Sequence, residues 1–409
     1  MEIDGLMSRG SHILTINSGS SSIKFSLYVL GETERLVLKG QLGRIGVSQG
    51  FLEAFDGGGQ RLAAQELSLP DHETAFNTLF DWLQGHETGK NLDAVGHRLV
   101  HGGPAHVRPQ PVSPALIEDL KQLIPLAPDH LPDEIKGLEV MHRNFPGLAQ
   151  VACFDTAFHR RMPEVAQRYA LPESLVHDGL RRYGFHGLSY EYILRELARE
   201  AGAPVAAGKL IFAHLGNGAS LAAIEKGRSQ DTTMGLTPTG GLVMSTRVGD
   251  LDPGVILYLL QEKGMSPAAV NQLVNHQAGL LGVSGLSSDM QDLLAKEKSD
   301  AHAALAVELF CYQARKFTGA LAAVLGGLDT LVFTGGIGEN SSLIRARICA
   351  PLGFLGILLD PDLNEKNGPV ISQKTGAVRV LVMKTNEELM IARHTRELLA
   401  DLNRHGQTF

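Results

Sequence analysis

The sequence predicts an α/β protein made of two similarly organised halves, and three observations carry that expectation. Strand clusters alternate with helical segments along the chain. "LTINSGSSSIKFSLY" and "IFAHLGNGASLAAI" share one plan: an apolar strand, a turn rich in Asn, Gly and Ser, and a second apolar strand. They lie about two hundred residues apart, which suits a duplicated two-domain protein better than a solenoid. A length of 409 residues allows two or three domains.

Each element has its own reason. From Ile13 to about Phe55 the pattern alternates and is broken by Gly, as strands are. "HETAFNTLFDWLQGH" sets Phe76, Leu79, Phe80 and Leu83 on one helical face. "LDAVGHRLVHGG" reads as a short buried strand running into a Gly-rich loop. Two helical segments flank a Pro-rich turn in "PALIEDLKQLIPLAPDHLPDEIKGLEVMHRNFP". "AQVACFDTAFH" is an apolar strand ending at an acid, and the first domain boundary is expected nearby, at about residue 152. Strands recur around "LIFAHLGNGASLAAIEKGRSQDTT". Helices follow at "PGVILYLLQEKG", "SPAAVNQLVNHQ" and roughly Ala301 to Leu325. The strand "TLVFTGG" leads into a helix. "VRVLVM" precedes a last helix with Asn386 as N-cap and Glu387 and Glu388 in its first turn.

Composition excludes several classes. The chain is 44% hydrophobic and 20% charged, with a net charge of −7 and no basic block that would mark a nucleic-acid surface. No apolar run reaches the ~18 residues of a membrane span. The first residues, "MEIDGLMSRGSH", lack the apolar centre of a signal peptide. Cys153, Cys311 and Cys349 lie far apart in apolar settings, as buried free thiols of a reducing cytoplasm do.

Several motifs can carry chemistry. "NSGSSSIK" offers many N–H and O–H donors with a cation, Lys24, at the edge, which is either a phosphate cradle or a decorated turn. The second hairpin holds His214, Asn217, Gly218 and Ser220. Two such turns can grip two ends of a polyphosphate. "VFTGGIGENS" is a near GxGxxG, with Gly336, Gly338 and Ser341, and Asp360 follows about twenty residues on, so a Rossmann dinucleotide site is an alternative. Arg98, between His97 and His101, suits an anion, and Arg247 in "MSTRVGDLDPG" is a second such Arg. The i,i+4 histidines also raise zinc, with no third ligand close by. Asp155 stands at the C-terminal end of a buried strand, where α/β proteins gather ligands or place a cap. Glu387 is either a metal ligand or a favourable charge at a helix start. His186, in "RRYGFHGLSY", reads as a core or a functional histidine.

Taken together, "NSGSSSIK", "HRLVHGG", "FDTAFH", "YGFHGLSY", "HLGNGAS", "TRVGDLDPG", "FTGGIGENS" and "TNEE" resemble the motifs of the acetate kinase family, in family order, from Ile13 to about Leu399. These are short-chain acyl kinases of the actin–sugar kinase–Hsp70 superfamily. The resemblance implies two duplicated actin-like (ribonuclease H-like) domains around a cleft. Domain I would hold residues 1–152 with about 387–409. Domain II, about 153–386, would bind nucleotide and form a homodimer interface. The implied reaction is reversible, Mg²⁺- (or Mn²⁺-) dependent phosphoryl transfer from ATP to acetate, giving acetyl phosphate and ADP. A propionate or other acyl kinase and an inactive nucleotide-binding sensor are the alternatives.

The resemblance also implies roles. Asp155, His186 and Arg247 would be catalytic, and Arg98 and Val100 would bind the acyl substrate. Lys24, His214, Leu215, Gly216, Asn217 and Gly218 would meet ATP phosphates. Asp289, Met290, Gln291, Gly336, Ile337, Gly338, Glu339 and Asn340 would form the adenosine region. Asn17 and Glu387 would hold the metal. Ser20, Ser22 and Lys24 should face phosphate, with Ser21 turned away by strand alternation. The chain departs from the family pattern at Asp129 and Leu131, at Met290 and Gln291, and at Ser245.

Overall fold

The computed structural model describes residues 10–86 and 91–405. The segment "MEIDGLMSR", read above for a signal peptide, lies outside them. The chain divides into two compact units, one of Met1–Ala157 with Asn386–Phe409, the other of Phe158–Thr385.

The first unit is a mixed sheet. Its strands are β1 (Ser11–Gly19), β2 (Ser22–Leu30), β3 (Glu34–Gly43), β4 (Gly50–Asp56), β5 (Arg61–Leu67), β6 (Ala94–Leu99), β7 (Gln110–Pro111) and β8 (Ala149–Phe154). Their order is β5-β4-β3-β2-β1-β6-β8-β7. β1 to β5 form an antiparallel meander, while β1, β6 and β8 run parallel. Leu14, Ile16, Ile23 and Phe25 pack against helix α1 (His72–Gln84), whose expected face of Phe76, Leu79, Phe80 and Leu83 is buried. Asp71 caps α1 by accepting the Thr74 N–H at 2.8 Å. Helices α2 (Pro114–Gln122) and α3 (Leu131–Asn144) follow, and α3 opens on the fully buried Leu131. The C-terminal helix Glu387–Arg404 packs on β1, β2, β6 and β8. It approaches β6 so closely that a Cβ on Gly96 would lie 2.4 Å from Thr395 Oγ1. The Asn386 side chain caps the helix through the Leu389 N–H at 2.9 Å.

The second unit repeats the plan. β9 (Leu210–Leu215), β10 (Ala219–Glu225) and β11 (Arg228–Thr232) form an antiparallel meander, and β12 (Thr330–Thr334) and β13 (Arg379–Val382) join β9 in parallel. The order β11-β10-β9-β12-β13 matches β3-β2-β1-β6-β8 strand for strand and direction for direction. A Rossmann sheet is mostly parallel, so this topology removes the dinucleotide reading. The acid that reading needed is also engaged: Asp360 Oδ1 accepts the Asp362 and Leu363 N–H groups as a helix cap.

The second unit's helices include α4 (Gly187–Ala201), α5 (Pro253–Gln261), α6 (Ala301–Leu325) and α7 (Gly335–Asn340). α6 spans the expected residues, capped by Asp300 through the His302 and Ala303 N–H groups. All three cysteines are buried free thiols. Among the described residues no helix is long and apolar enough to cross a membrane.

Candidate active site

In the first unit, three chain segments far apart in sequence converge on one guanidinium. Arg98 lies near the end of β6, Asp155 directly after β8, and Glu387 at the start of the C-terminal helix. The parallel strand ends place them together, as in other α/β sheets. Arg98 grips Asp155 with two bonds, Nε to Oδ1 at 3.2 Å and Nη2 to Oδ2 at 2.6 Å. Nη1 donates to Asn17 Oδ1 at 3.0 Å, and Glu387 Oε2 lies 3.8 Å from Nε. Asp155 is 1% exposed, so its charge is tolerated only because this fork meets it.

A further carboxyl, Glu134 on α3, was not anticipated from sequence. Its Oε2 accepts the Val100 N–H at 3.0 Å, and its Oε1 has no partner among the described residues. Burial pushes Glu134 up to about 8, with Arg98 opposing. Burial likewise raises Glu387 to about 7, again against the pull of Arg98. The signal for Glu134 was present: it interrupts the buried stripe Leu131, Ile135, Leu138 and Met141.

The flanking histidines do other work. His97 Nε2 bonds Gln150 Oε1 at 2.9 Å, and burial lowers the ring to about 4. His101 Nδ1 accepts the Gly103 N–H at 2.9 Å. Among the described residues no cluster of three His, Cys, Asp or Glu could cage a metal ion. Mg²⁺ keeps most of its shell as water and substrate oxygen, and the hard oxygens of Asn17 and Glu387, where three carboxyls face one guanidinium, fit such an ion.

The first hairpin corrects one expectation. Gly19 pairs with Ser22, and Asn17 with Lys24, so Ser20 and Ser21 alone make the turn. Strand alternation therefore does not separate Ser20 from Ser21; both are exposed. Asn17, Gly19, Ser22 and Lys24 share a face, and Ser18 is buried on the other. His72 Nε2 bonds the Gly19 carbonyl at 2.8 Å and ties the hairpin to α1.

In the second unit the equivalent hairpin closes with Gly216, Asn217 and Gly218 between β9 and β10. A Cβ on Gly218 would lie 3.2 Å from His186 Nε2 and 3.4 Å from Arg247 Nη1, so the bare backbone there borders both side chains. A Cβ on Gly216 would lie 3.8 Å from the Gly336 N, which sets this loop beside the start of α7. His186 precedes α4 in a left-handed conformation, φ 58°, and its ring stacks on His214 at 4.2 Å. Its Nδ1 bonds Ser220 Oγ at 2.8 Å. His214 Nδ1 bonds Ser189 Oγ at 2.8 Å, and Ser189 bonds Thr385 Oγ1. Arg247 Nη1 donates to the Pro238 carbonyl at 3.2 Å. The departure at Ser245 has a structural use: its N–H and Oγ donate to Asn217 O and Oδ1 at 3.1 and 3.4 Å, bracing the loop.

The remaining residues divide. Leu215 and Gly338 are buried, Ile337 is half-buried, and Gly336 and Asn340 are exposed at the two ends of α7. Glu339 Oε1 gathers the Gly335 and Thr385 N–H groups at 2.9 and 3.1 Å, joining the ends of β12 and β13. Asp289 caps a short helix through the Gln291 N–H at 2.7 Å, Gln291 is exposed, and Met290 is buried. In the acyl region Val100 is buried and Asp129 half-buried. Ser220 was named with its hairpin, whereas Ser189, Tyr190 and Thr385 lie within quoted motifs without a signal of their own.

The sequence profile of the Acetokinase family matches residues 12–393. The acetate kinase of Rhodopseudomonas palustris (strain TIE-1) is 46% identical over 391 residues, covering 94% of this chain and 98% of that protein. That of Halothermothrix orenii is 43% identical over 396 residues, covering 95% and 99%. A crystal structure of Porphyromonas gingivalis acetate kinase aligns with a TM-score of 0.86 at 38% identity, over 95% of this chain and 100% of that one. A propionate kinase from Francisella tularensis aligns with a TM-score of 0.89 at 37% identity, over 95% and 99%.

Proposed function

The chain belongs to the acetokinase family and is a phosphotransferase with a carboxyl acceptor, and from that premise we propose that its acceptor is acetate. One acetate oxygen forms a bond to the γ-phosphorus of ATP while the bond from that phosphorus to the β–γ bridging oxygen breaks. The products are acetyl phosphate and ADP, which leaves with the electron pair. Acetate is already ionised near neutral pH, so no base is required. Catalysis is then mostly positioning and charge neutralisation.

The observation that carries the reading is how Arg98 is committed. Of its five N–H donors, one edge is taken by Asp155 and one Nη1 hydrogen by Asn17. One hydrogen on Nη1 and one on Nη2 remain for the substrate carboxylate, which can dock without displacing Asp155. Val100 borders the acyl methyl, and Asp155 orients the guanidinium. His186 and Arg247 neutralise equatorial oxygens of the transferring group, beside the bare backbone of Gly218. Lys24 and the segment His214–Gly218 take nucleotide phosphates; Gly336–Asn340 and Asp289–Gln291 serve the adenosine, with Met290 contributing from the interior. Mg²⁺ (or Mn²⁺), which would be held by Asn17 and Glu387, supplies neutralisation of polyphosphate charge when bound.

Two further expectations are carried with it. A homodimer is supported by α5, an apolar helix with no buried residue, on which Val255, Leu257 and Tyr258 are 40%, 53% and 52% exposed. Sedimentation equilibrium tests it. A cytoplasmic location is supported by the buried free thiols.

The test of the acyl assignment is initial rate with acetate, propionate and butyrate, read by hydroxamate trapping. Acetate should give the highest kcat/KM. Propionate exceeding acetate would overturn it, and the likeness to both acetate and propionate kinase structures makes the comparison decisive.

A further inference from the structure

Two buried hydroxyls lie behind His186, and neither is used by the reaction as described. Ser220 Oγ is 2.8 Å from His186 Nδ1 and hydrogen-bonded to the Tyr190 hydroxyl. Both residues are fully buried. We propose that the Tyr190–Ser220 pair is a positioning device that holds His186 as a neutral imidazole with its proton on Nε2, the nitrogen beside Gly218. The proposal rests on the reading that His186 donates to the transferring phosphoryl group.

The argument is a count of hydrogens. Three polar atoms stand in a row, Tyr190 Oη, Ser220 Oγ and His186 Nδ1. Among the described residues the two hydroxyls have no other side-chain or backbone partner. A buried hydroxyl hydrogen requires an acceptor. If Tyr190 donates to Ser220 and Ser220 donates to Nδ1, both hydrogens are placed. Nδ1 is then an acceptor, and the ring proton sits on Nε2. In the reverse order Nδ1–H donates to Ser220 and Ser220 to Tyr190, which leaves the tyrosine hydrogen without an acceptor; if Nδ1–H and Tyr190 both donate to Ser220, the serine hydrogen is the one left over. The first arrangement is the satisfied one. Burial also pushes the Tyr190 hydroxyl well above its ordinary range, so it remains a donor.

The same row opposes a charged imidazole, because an imidazolium must donate from Nδ1, and either the serine or the tyrosine hydrogen is then left without an acceptor. Arg247, a fixed positive charge, acts in the same direction. Arg247 approaches across Gly218, and the His214 ring stacks at 4.2 Å. Behind Tyr190, the His159 ring lies at 5.8 Å, and burial holds it near 4, hence neutral. The helix itself supplies the spacing: the Tyr190 N–H bonds the His186 carbonyl at 3.0 Å, which places the two rings 6.5 Å apart on one side of α4. Ser189 and Thr385 repeat the arrangement behind His214 Nδ1.

The experiment is nitrogen NMR on the full-length protein labelled with ¹⁵N-histidine, comparing wild type, Tyr190→Phe and Ser220→Ala. Wild type should show His186 with a pyridine-type Nδ1 and a pyrrole-type Nε2 at neutral pH. Tyr190→Phe, which removes one oxygen and keeps the ring, should mix the two tautomers and raise the His186 pKa by about one unit. Both variants should lose about tenfold in kcat, with each KM within about threefold. A protonated Nδ1 in the wild type, or an unchanged tautomer and titration in Tyr190→Phe, overturns the proposal. The spectra need no turnover, so a wrong catalytic assignment for His186 would show in the rates and leave the tautomer result standing. Should Ser220→Ala not fold, Tyr190→Phe alone decides.

Discussion

Replacing Glu134 with Gln should raise stability at neutral pH and remove a proton linkage. The carboxyl is 3% exposed, one oxygen accepts the Val100 N–H at 3.0 Å, and the other has no partner among the described residues. Burial lifts it from 4.5 to about 8. The unfolded chain therefore releases this proton near 4.5, and the folded one keeps it to about 8. Between those values the folded state binds one more proton than the unfolded, so stability falls as pH rises, by about 1.4 kcal/mol per pH unit. The accumulated loss is roughly 1.4 kcal/mol at pH 5.5 and about 3 kcal/mol at pH 7. An amide keeps the acceptor for Val100 and cannot ionise. Urea unfolding of Glu134→Gln against wild type should thus show a stability gain that grows by roughly 2 kcal/mol between pH 5.5 and 7. A gain that does not grow with pH, or a variant less stable at pH 7, would refute the assignment of Glu134 as a buried neutral acid.

Other outcomes follow from the same geometry. Arg98→Ala and Arg247→Ala should each lower kcat/KM by at least ~10³, and a loss under tenfold in steady-state assays would remove that residue from the site. Arg98→Lys should not restore activity, because one ammonium cannot hold Asp155 bidentately and still face a substrate. Gly218→Ala should lower kcat with little change in melting temperature, since its Cβ would crowd His186 Nε2 at 3.2 Å rather than the core. Arg345 is fully buried and donates to Gly338 O, Glu339 O, Asn364 O and Oδ1, and Asn367 Oδ1. Arg345→Met should cost about 3 kcal/mol or more in urea unfolding by orphaning those acceptors, and should raise KM for ATP more than KM for acetate.

Much of the fold was legible because its signals are local. The face of Phe76, Leu79, Phe80 and Leu83 needs only a period of 3.6, and β9 and β10 need only an apolar run on each side of "GNG". α4 was not read as a helix, although Tyr190, Ile193 and Leu197 recur at helical spacing and are buried. The motif around His186 drew the reading to chemistry, and His186 itself is left-handed just before the helix begins. The first hairpin shows a different limit. Alternation follows from strand geometry, but where the strand stops depends on pairing, and pairing is non-local. Gly19 opposite Ser22 makes Ser20 and Ser21 a turn, and no rule of parity reaches across a turn.

The site divides along the same line. Arg98 and Asp155 are 57 residues apart, and Asn17 and Glu387 lie still further off, yet each stood out because a charged or amide group interrupts an apolar strand or opens a helix. The pair that orients His186 stood out less, although Ser220 was named with its hairpin. Ser220 is one small polar residue in a β-hairpin, and Tyr190 one aromatic in an amphipathic helix. Their meaning arises only when β10 and α4 set the Tyr190 hydroxyl on Ser220 and the Ser220 hydroxyl on one imidazole nitrogen. Glu134 lies between these cases. A glutamate on the buried stripe of α3 is visible by period alone, and it is costly enough to demand a reason. The reason, the backbone of Val100 and the field of Arg98, is supplied by a strand that sequence spacing does not connect to it. Groups that touch substrate are set by the chemistry of the ligand and leave residue-type signatures. Groups that tune them are set by packing, and any side chain with the right donor count can serve.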